Sequence, residues 1–317
     1  MRKILVTGGA GFVGSSLCKK LLDRGDLVIA LDNFHNYYSP EQKRKNISSF
    51  LDNKNFHLIE GDFRSKELLE DLFIKHKPDT IAHLGAMANV RYSVDHPGLF
   101  VDVNVLGTNN LLELSVKYLV ENFVFASTSS IYGQRTDVPF FENDISDHPL
   151  APYPASKKSG ELFGYAYHNM HQLNFTALRF FNVYGPRGRP DMMPFIVAKS
   201  LYEGREITLF DEGKLERDWT YIDDVVNGVI LALDKQLGYE IINIGRGEPS
   251  SMQKFMEIMQ EHTDIQAKII NTEAPLSEPK ITYADIRKAK NLLGYNPQTS
   301  LKEGLGNFLE WYKDSYL

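Results

Sequence analysis

Short apolar runs alternate with longer amphipathic stretches through the first half of the chain. The runs that begin at Ile4, Leu27, Phe56, Thr80 and Phe123 are rich in β-branched and aromatic residues, a pattern typical of buried strands. Between them, apolar residues recur three or four positions apart, as they do on one face of an amphipathic helix. This alternation predicts right-handed crossovers and a doubly wound parallel sheet, so we expect an α/β fold of the Rossmann type.

Two long helices are predicted in the later part of the first half, over residues 98–118 and 153–172. The regular alternation of strands and helices ends in the second half. After Asn182, short strands at residues 207–210, 241–244 and 267–270 mix with helices and proline-rich loops. We therefore predict a first domain over residues 1–181 and a smaller mixed α/β domain over residues 182–317. Their segments are expected to interleave and to leave a cleft between the domains.

Composition narrows the class of protein. Hydrophobic residues make up 43% of the 317 positions and charged residues 24%, which excludes a disordered, collagen-like or coiled-coil chain. The formal net charge of −6 argues against a nucleic-acid partner. No apolar run reaches the roughly 20 residues that span a bilayer, so no membrane partner is expected. Cys18 is the only cysteine, so an intrachain disulfide is impossible and a cytoplasmic location is favoured.

A glycine-rich turn follows the first strand. Glycines 8, 11 and 14 lie between that strand and a helix, and Asp32 ends the second strand 18 residues after Gly14. Gly8 permits a tight turn, Gly11 lets the backbone approach a pyrophosphate, and Gly14 lets the helix lie close to the sheet. The carboxylate of Asp32 would bind ribose hydroxyls and repel a 2′-phosphate. The motif therefore predicts NAD as cofactor in preference to NADP.

Three other features of the chain have less specific interpretations. Asp62 and Phe63 follow the third strand, where they could contact adenine, but Asp62 could equally cap the next helix. The basic run at residues 43–45 is expected to lie on a solvated surface. His168 and His171 have no evident third ligand, so no metal site is predicted.

Tyr153 and Lys157 are the first candidates for catalysis. A tyrosine four residues before a lysine is expected by chance in a chain with 16 tyrosines, so the setting matters more than the spacing. Pro154 favours a helix that begins at Tyr153, and residues four apart share a helix face. An ammonium group and a nicotinamide ring nearby would lower the pKa of the phenol, which could then remove a proton from a sugar hydroxyl.

A run of hydroxyl residues, 127–130, ends the fifth strand. Ligands of open parallel sheets bind outside the carboxyl ends of the strands, so a hydroxyl there could bind the substrate oxygen that alternates between alcohol and ketone. The competing interpretation is a loop of ordinary capping and turn residues.

Taken together, these motifs resemble the extended short-chain dehydrogenase/reductase family, and within it the NAD-dependent nucleotide-sugar 4-epimerases. The resemblance covers essentially the whole chain. Besides the glycine turn and the Tyr153 to Lys157 pair, it includes Asn104, the segment Arg179–Arg187 and the segment Arg217–Asp224.

The resemblance assigns roles residue by residue. Tyr153 would be the acid/base, Lys157 its electrostatic partner and a ribose ligand, and Thr128 the hydroxyl beside it. Asn182 and Arg217 would hold the diphosphate of UDP. The cofactor would be contacted by Gly8, Gly11, Phe12, Val13, Asp32, Asn33, Asp62, Phe63, Leu84, Ala86, Asn104, Tyr153 and Lys157. A homodimer through the two long helices is implied as well.

The sugar is a finer question. Family members that dehydrate the sugar carry acidic residues after the Ser/Thr motif, and this chain has Ser129 and Ser130 there. The segments 33–40, 88–93 and 185–192 resemble the UDP-glucuronate 4-epimerases. A uronate adds a carboxylate to the diphosphate, and a guanidinium is its natural partner, so Arg91 and Arg189 are candidates together with the two serines. The alternative is that the arginines of segment 185–192 form ordinary salt bridges.

Three alternatives to a UDP-glucuronate 4-epimerase remain open. The first is an epimerase of neutral UDP-sugars, because Asn182 is common in epimerases of UDP-glucose and UDP-N-acetylglucosamine, whereas the glucuronate enzymes usually have threonine at this position. A UDP-glucuronate decarboxylase would share the ketone intermediate. A non-catalytic NAD sensor would need the glycine turn but not the combination of Tyr153, Lys157 and Thr128.

Overall fold

A computed structural model describes residues 1–275 and 278–317. Its strands are β1 Lys3–Thr7, β2 Leu27–Asp32, β3 Phe56–Glu60, β4 Thr80–His83, β5 Asn122–Thr128, β6 Phe175–Phe180, β7 Val183–Tyr184, β8 Glu206–Phe210, β9 Glu216–Arg217, β10 Thr220–Tyr221, β11 Tyr239–Ile244, β12 Ser250–Ser251 and β13 Lys268–Thr272. Its helices are α1 Phe12–Arg24, α2 Pro40–Ser48, α3 Lys66–His76, α4 Val90–Asp95, α5 Pro97–Phe100, α6 Gly107–Lys117, α7 Pro152–His171, α8 Met193–Glu203, α9 Ile222–Leu233, α10 Met252–Thr263, α11 Arg287–Leu293 and α12 Leu301–Tyr316.

A seven-stranded sheet forms the centre of the fold, in the order β11-β6-β5-β4-β1-β2-β3, and every neighbouring pair is parallel. The predicted α/β fold with a doubly wound parallel sheet is confirmed. Successive side chains of a strand point to opposite faces, so Ile4 and Val6 pack in one apolar layer and Leu5 packs in the other. Both faces are covered, as the nearly continuous apolar strands require.

All five strands predicted for the first half are present, and a sixth was missed. Strand β6 continues the sheet beside β5, and it contains Arg179 and Thr176 among apolar residues. An arginine argues against a fully buried strand when only the sequence is read. Here its side chain is buried because Glu161 neutralises it, at 2.8 Å between Nη2 and Oε2.

The two long predicted helices are present with small changes. The first runs from Pro97 to Lys117, but its middle part, Val101–Leu106, is wound as a π-helix between α5 and α6. The second, α7, begins at Pro152, one residue earlier than predicted, because proline is well suited to the first helical position. None of the helices in the described part of the chain is long and apolar enough to cross a membrane.

The second half contributes to both parts of the molecule. Strand β11, predicted at residues 241–244, joins the large sheet beside β6. The strands predicted at 207–210 and 267–270 correspond to β8 and β13, which form a separate parallel pair. The pairs β7 with β10 and β9 with β12 form two more small sheets. The domain boundary at residue 182 stays a prediction.

Candidate active site

A cavity of about 830 Å³ opens at the carboxyl ends of the parallel strands. It is lined by residues that follow or end five strands: Gly8 after β1, Asp32 on β2, Leu84 after β4, Thr128 on β5 and Phe180 on β6. This is the edge at which open α/β sheets bind ligands. The opposite wall comes from the second half of the chain, including Asn182, Arg189, Thr208, Leu209, Phe210, Leu215, Arg217, Trp219, Met252 and Glu278.

The glycine turn leaves room for a phosphate group. Gly8 has a φ of +67°, and a Cβ on it would lie 2.8 Å from the Cα of Gly85. A Cβ on Gly14 would lie 1.9 Å from the carbonyl oxygen of Gly8, so α1 packs directly on the turn. Gly11 precedes α1 without a side-chain cap, so the first N–H groups of the helix are free to bind an anion. Phe12 and Val13 line the cavity here, and these residues fit a dinucleotide pyrophosphate.

Asp32 is held rigidly at the end of β2. Its two carboxylate oxygens accept hydrogen bonds from the backbone N–H groups of Ala10, at 3.0 Å, and Phe34, at 2.8 Å. A carboxylate oxygen can accept a second hydrogen bond, and Asp32 lines the cavity, so it could bind a ribose diol. Asn33 lies beside it, and its amide donates to Asp62 at 2.9 Å.

Asp62 and Phe63 have different surroundings. Phe63 lines the cavity with Leu84 and Ala86. The carboxylate of Asp62 is bound by the guanidinium of Arg64 at 2.7 Å. Burial alone would raise the pKa of this carboxyl group, but the hydrogen bonds from Arg64 outweigh burial, so the pKa is lowered. The helix cap is Ser65, whose hydroxyl accepts from the N–H of Leu68, so the capping alternative for Asp62 is wrong.

Asn104 lies behind the cavity wall. Its buried amide accepts from the N–H of Met87 and donates to the carbonyl of Met87, both at 2.9 Å, and it also donates to Ser156 Oγ at 2.9 Å. The structure thus places Asn104 where it holds the loop after β4 against the helix that carries Tyr153.

Tyr153, Lys157 and Thr128 converge on the same part of the cavity. Burial raises the pKa of Tyr153, whereas a hydrogen bond with Thr128 and the charge of Arg189 oppose that rise. The sequence assigned the electrostatic role to Lys157 and the nicotinamide ring, and did not include Arg189. Burial lowers the pKa of Lys157 to about 7, and its ammonium lies 4.0 Å from the ring centre of Phe125.

The two serines after Thr128 form the first turn of a 3₁₀ segment, Ser129–Tyr132. Thr128 Oγ1 accepts from the N–H of Ser130 and donates to its hydroxyl, both at 3.2 Å. Ser129 and Ser130 line the cavity beside Tyr153.

An acidic residue connects two of the predicted substrate arginines. Glu278 accepts from Arg217 at 3.2 Å and from Arg91 at 2.9 Å, so it bridges the two halves of the chain at the cavity mouth. The side chain of Arg217 is only 11% exposed, and that of Arg91 is 75% exposed. Asn182 lies nearby and its side-chain oxygen accepts from Thr282 at 3.0 Å.

Arg189 is paired with an acidic residue inside the cavity. Its Nε and Nη2 donate to the two oxygens of Asp191 at 2.9 and 3.1 Å. Asp191 also accepts from the hydroxyl of Tyr37 at 2.9 Å and the amide of Asn89 at 2.8 Å. The pair fixes the guanidinium near Tyr153, while part of its charge is already compensated.

Comparison with known proteins decides the family. Residues 4–245 match the model of the NAD dependent epimerase/dehydratase family. A UDP-glucuronate 4-epimerase of Thermodesulfobacterium geofontis is 40% identical over 312 residues, which cover 98% of this chain and 96% of that protein. The chain belongs to the NAD dependent epimerase/dehydratase family.

Solved structures of this epimerase family have the same fold. UDP-glucuronic acid 4-epimerase from Bacillus cereus, in complex with UDP-glucuronic acid and NAD, superposes with a TM-score of 0.91 at 36% identity and covers 99% of this chain and 100% of that one. UDP-glucose 4-epimerase from Thermotoga maritima, with UDP-glucose, gives a TM-score of 0.91 at 33% identity, with 99% and 100% coverage. The recognition of an extended short-chain dehydrogenase/reductase is confirmed.

Several residues that line the cavity of this epimerase family member were missed in the sequence. Lys43 was assigned to a solvated face, which is wrong. It is 6% exposed, donates to the carbonyl of His35 at 2.6 Å and lies 4.5 Å from the ring centre of Tyr38. Tyr37, Asp191 and Glu278 were missed because the contacts of Tyr37 with Asp191 and of Arg91 with Glu278 join residues more than a hundred positions apart, which no local pattern shows. Among the described residues, no three His, Cys, Asp or Glu side chains are grouped as a metal ion would require.

Proposed function

We propose that this protein catalyses the NAD-dependent 4-epimerisation of a UDP-sugar, with UDP-glucuronate and UDP-galacturonate as its pair of substrates. One observation carries the proposal: Tyr153 and Thr128 face the same cavity that connects the glycine turn to Arg217. A site that only sensed NAD would not need this arrangement. The relatives from Thermodesulfobacterium geofontis and Bacillus cereus are both named as epimerases of UDP-glucuronate, which supports a uronate as the substrate.

The glycine turn and Asp32 would hold NAD, which would supply a reversible hydride acceptor for C4 of the sugar, so the reaction has no net redox change. Tyr153, as a phenolate, takes the proton of the C4 hydroxyl and later gives it back. The hydroxyl of Thr128 would turn its proton from Ser130 to the phenolate, and the charges of Lys157 and Arg189 would stabilise that anion. Arg217 and Asn182 hold the UDP moiety. The 4-keto sugar can therefore rotate within the cavity and present its other face without dissociating.

The uronate imposes a further requirement on these residues. A 4-keto sugar with a carboxylate on C5 is a β-keto acid, which loses CO2 when the bond to the carboxylate aligns with the carbonyl. Ser129 and Ser130 line the cavity that Tyr153 also lines, where they would hold the carboxylate by hydrogen bonds, and Arg189 would supply the opposite charge. Both arginines are paired with an acidic residue, but Arg91 is the weaker candidate because its side chain is 75% exposed, compared with 23% for Arg189.

An epimerase of neutral UDP-sugars is the second candidate. Asn182 favours it, and the Thermotoga maritima relative is named as a UDP-glucose 4-epimerase. Incubating the purified protein with UDP-glucuronate, and separately with UDP-glucose, and following the products by NMR separates the candidates. The proposal expects the C4 epimer of the uronate. Epimerisation of UDP-glucose alone would establish the second candidate, a UDP-pentose with CO2 a decarboxylase, and no product from either sugar would refute all of them.

We further propose a homodimer in the cytoplasm. The segment 97–117 and helix α7 pack side by side, and both leave apolar side chains exposed. These side chains are Val101, Leu106, Leu162, Phe163 and Met170. Apolar groups on adjacent exposed helices mark an interaction surface. The single cysteine, Cys18, is buried and free, which suits a reducing compartment.

A further inference from the structure

A buried ion pair lies directly behind the active site. Glu161 and Arg179 are 0% and 1% exposed, and the guanidinium donates to both carboxylate oxygens, at 2.9 Å from Nε and 2.8 Å from Nη2. Glu161 also accepts from the hydroxyl of Ser127 at 2.7 Å. Removing a buried charge from such a cluster leaves its partner uncompensated, so the three side chains act as a unit.

Glu161 lies on the same helix as two of the catalytic residues and contacts the strand that carries the third. Tyr153, Lys157 and Glu161 follow one another at intervals of four residues on α7, so they lie along one face of the helix. Ser127 immediately precedes Thr128 at the end of β5, and Arg179 lies on the neighbouring strand β6. The cluster therefore fixes the helix that carries the phenol and the ammonium against the strand that carries the hydroxyl.

Glu161 also contributes charge at Lys157. The ammonium is 2% exposed and packs against the ring of Phe125, an environment that favours the neutral amine. The opposing electrostatic contribution comes from Glu161, whose charge raises the pKa of Lys157.

The other ionisable groups near Lys157 cannot replace that contribution. Burial lowers the pKa of His83 on β4 well below its usual range, so this imidazole is neutral. On α7, burial raises the pKa of Tyr153, so its phenol carries no charge until the phenolate forms for the reaction, and Lys158 lies 3.5 Å from Glu161. On β6, Arg179 is cationic and bound to Glu161. Among the described neighbours, the carboxylate of Glu161 is the anion that favours the ammonium form.

We propose that Glu161 is a positioning residue of the epimerase reaction: it locks α7 to the ends of β5 and β6 and keeps Lys157 in its ammonium form opposite Tyr153. This inference rests on the proposed function, because it assumes that Lys157 must be charged while Tyr153 acts. It extends that function to a residue that contacts neither the cavity nor the substrate.

The test compares Glu161→Gln with Asp224→Asn in the full chain loaded with NAD. Asp224 is also a buried carboxylate, which accepts from the N–H groups of Gln298 and Thr299 at 2.9 and 3.1 Å, but it is not connected to Lys157. Loss of the charge of Glu161 lowers the pKa of Lys157, so the ammonium is lost at a lower pH. We expect kcat to fall at least tenfold and the alkaline limb of its pH profile to move down by about one pH unit in Glu161→Gln. In Asp224→Asn the limb should stay in place.

A second variant and a second measurement keep the test decisive if Glu161→Gln folds poorly. The double variant Glu161→Gln with Arg179→Gln removes both charges, which avoids an unpaired buried arginine, and its alkaline limb should shift in the same direction by a smaller amount. Titrating the lysine side chains by ¹³C NMR, with the Lys157 signal assigned from a Lys157→Arg variant, follows the ammonium without any substrate. Its midpoint should be lower in both Glu161 variants than in the parent chain.

An unchanged Lys157 midpoint, or an alkaline limb in the same place as in Asp224→Asn, would reduce Glu161 to a purely structural role. If the parent chain shows no epimerase activity while the Lys157 midpoint still shifts, the proposed function fails and the electrostatic effect of Glu161 stands.

Discussion

At the residue scale, the chemistry depends on a phenol whose surroundings work against its ionisation. Burial raises the pKa of Tyr153, and the groups that counter it are Thr128 and Arg189. Lys157 is itself close to losing its charge, because burial lowers its pKa to about 7. On balance the protein side chains thus disfavour the phenolate, and a positively charged nicotinamide ring beside it would add the missing stabilisation.

The pairing of Arg189 gives the first prediction. If this guanidinium meets the sugar carboxylate, Arg189→Ala should lower kcat/KM for UDP-glucuronate at least tenfold more than for UDP-glucose, because only the uronate loses a charged hydrogen bond. Steady-state kinetics with both sugars give the ratio.

Arg189→Ala also leaves the carboxylate of Asp191 without its arginine partner, so a second variant is needed to separate the two effects. The double variant Arg189→Ala with Asp191→Ala removes both members of the pair, and the same selective loss is expected from it. An unchanged ratio between the two sugars in both variants would remove Arg189 from substrate recognition.

At the scale of elements, the glycine turn and the start of α1 form one unit. A Cβ at position 14 would lie 1.9 Å from the carbonyl of Gly8, which is backbone and cannot move aside without displacing the turn. Gly14→Ala should therefore destabilise the protein by roughly 2 kcal/mol or more and reduce the NAD that copurifies with it.

The control for Gly14 is another helical glycine. A Cβ on Gly98 in α5 would meet nothing within 4 Å, so Gly98→Ala should be neutral or slightly stabilising. Thermal unfolding and the NAD content of the purified proteins check both. Normal stability and full NAD content in Gly14→Ala would contradict the close packing of α1 on the turn.

Elements that follow local rules were predictable from the sequence, and those that depend on distant partners were not. The strand at Ile4, the glycines after it and Asp32 form a local pattern, and the structure has them as predicted. Strand β6 was missed because Arg179 looks polar until Glu161 is placed beside it. Lys43 was assigned to the surface because the sequence does not show that His35 and Tyr38 surround it.

At the scale of the whole molecule, the cavity lies where two parts of the chain meet. The glycine turn, Asp32 and Tyr153 come from the first half, and Arg217 and Glu278 from the second. The sequence predicted this cleft from the change of rhythm near Asn182. It could not predict the bridge from Arg91 to Glu278, because the two residues are 187 positions apart.

The proposed dimer gives a prediction at this scale. Leu162 on α7 is 60% exposed, and a charge there would have to be buried in the interface. Leu162→Glu should therefore give a monomer in size-exclusion chromatography with light scattering. Ile269→Glu is the control, because Ile269 is 42% exposed but lies on β13, which pairs with β8 in a separate small sheet. A dimer that survives Leu162→Glu, or a monomeric parent chain, would contradict the proposed surface.

The activity of Tyr153→Phe tests the central claim most directly, since phenylalanine keeps the ring and removes only the hydroxyl. We predict that kcat for the interconversion of UDP-glucuronate and UDP-galacturonate falls by about 10² to 10⁴-fold, while the fold and the bound NAD are retained. Tyr165→Phe, an exposed tyrosine on the same helix, should leave kcat unchanged. Full activity in Tyr153→Phe would contradict the account, because no other phenol is placed beside Thr128 in the described part of this cavity.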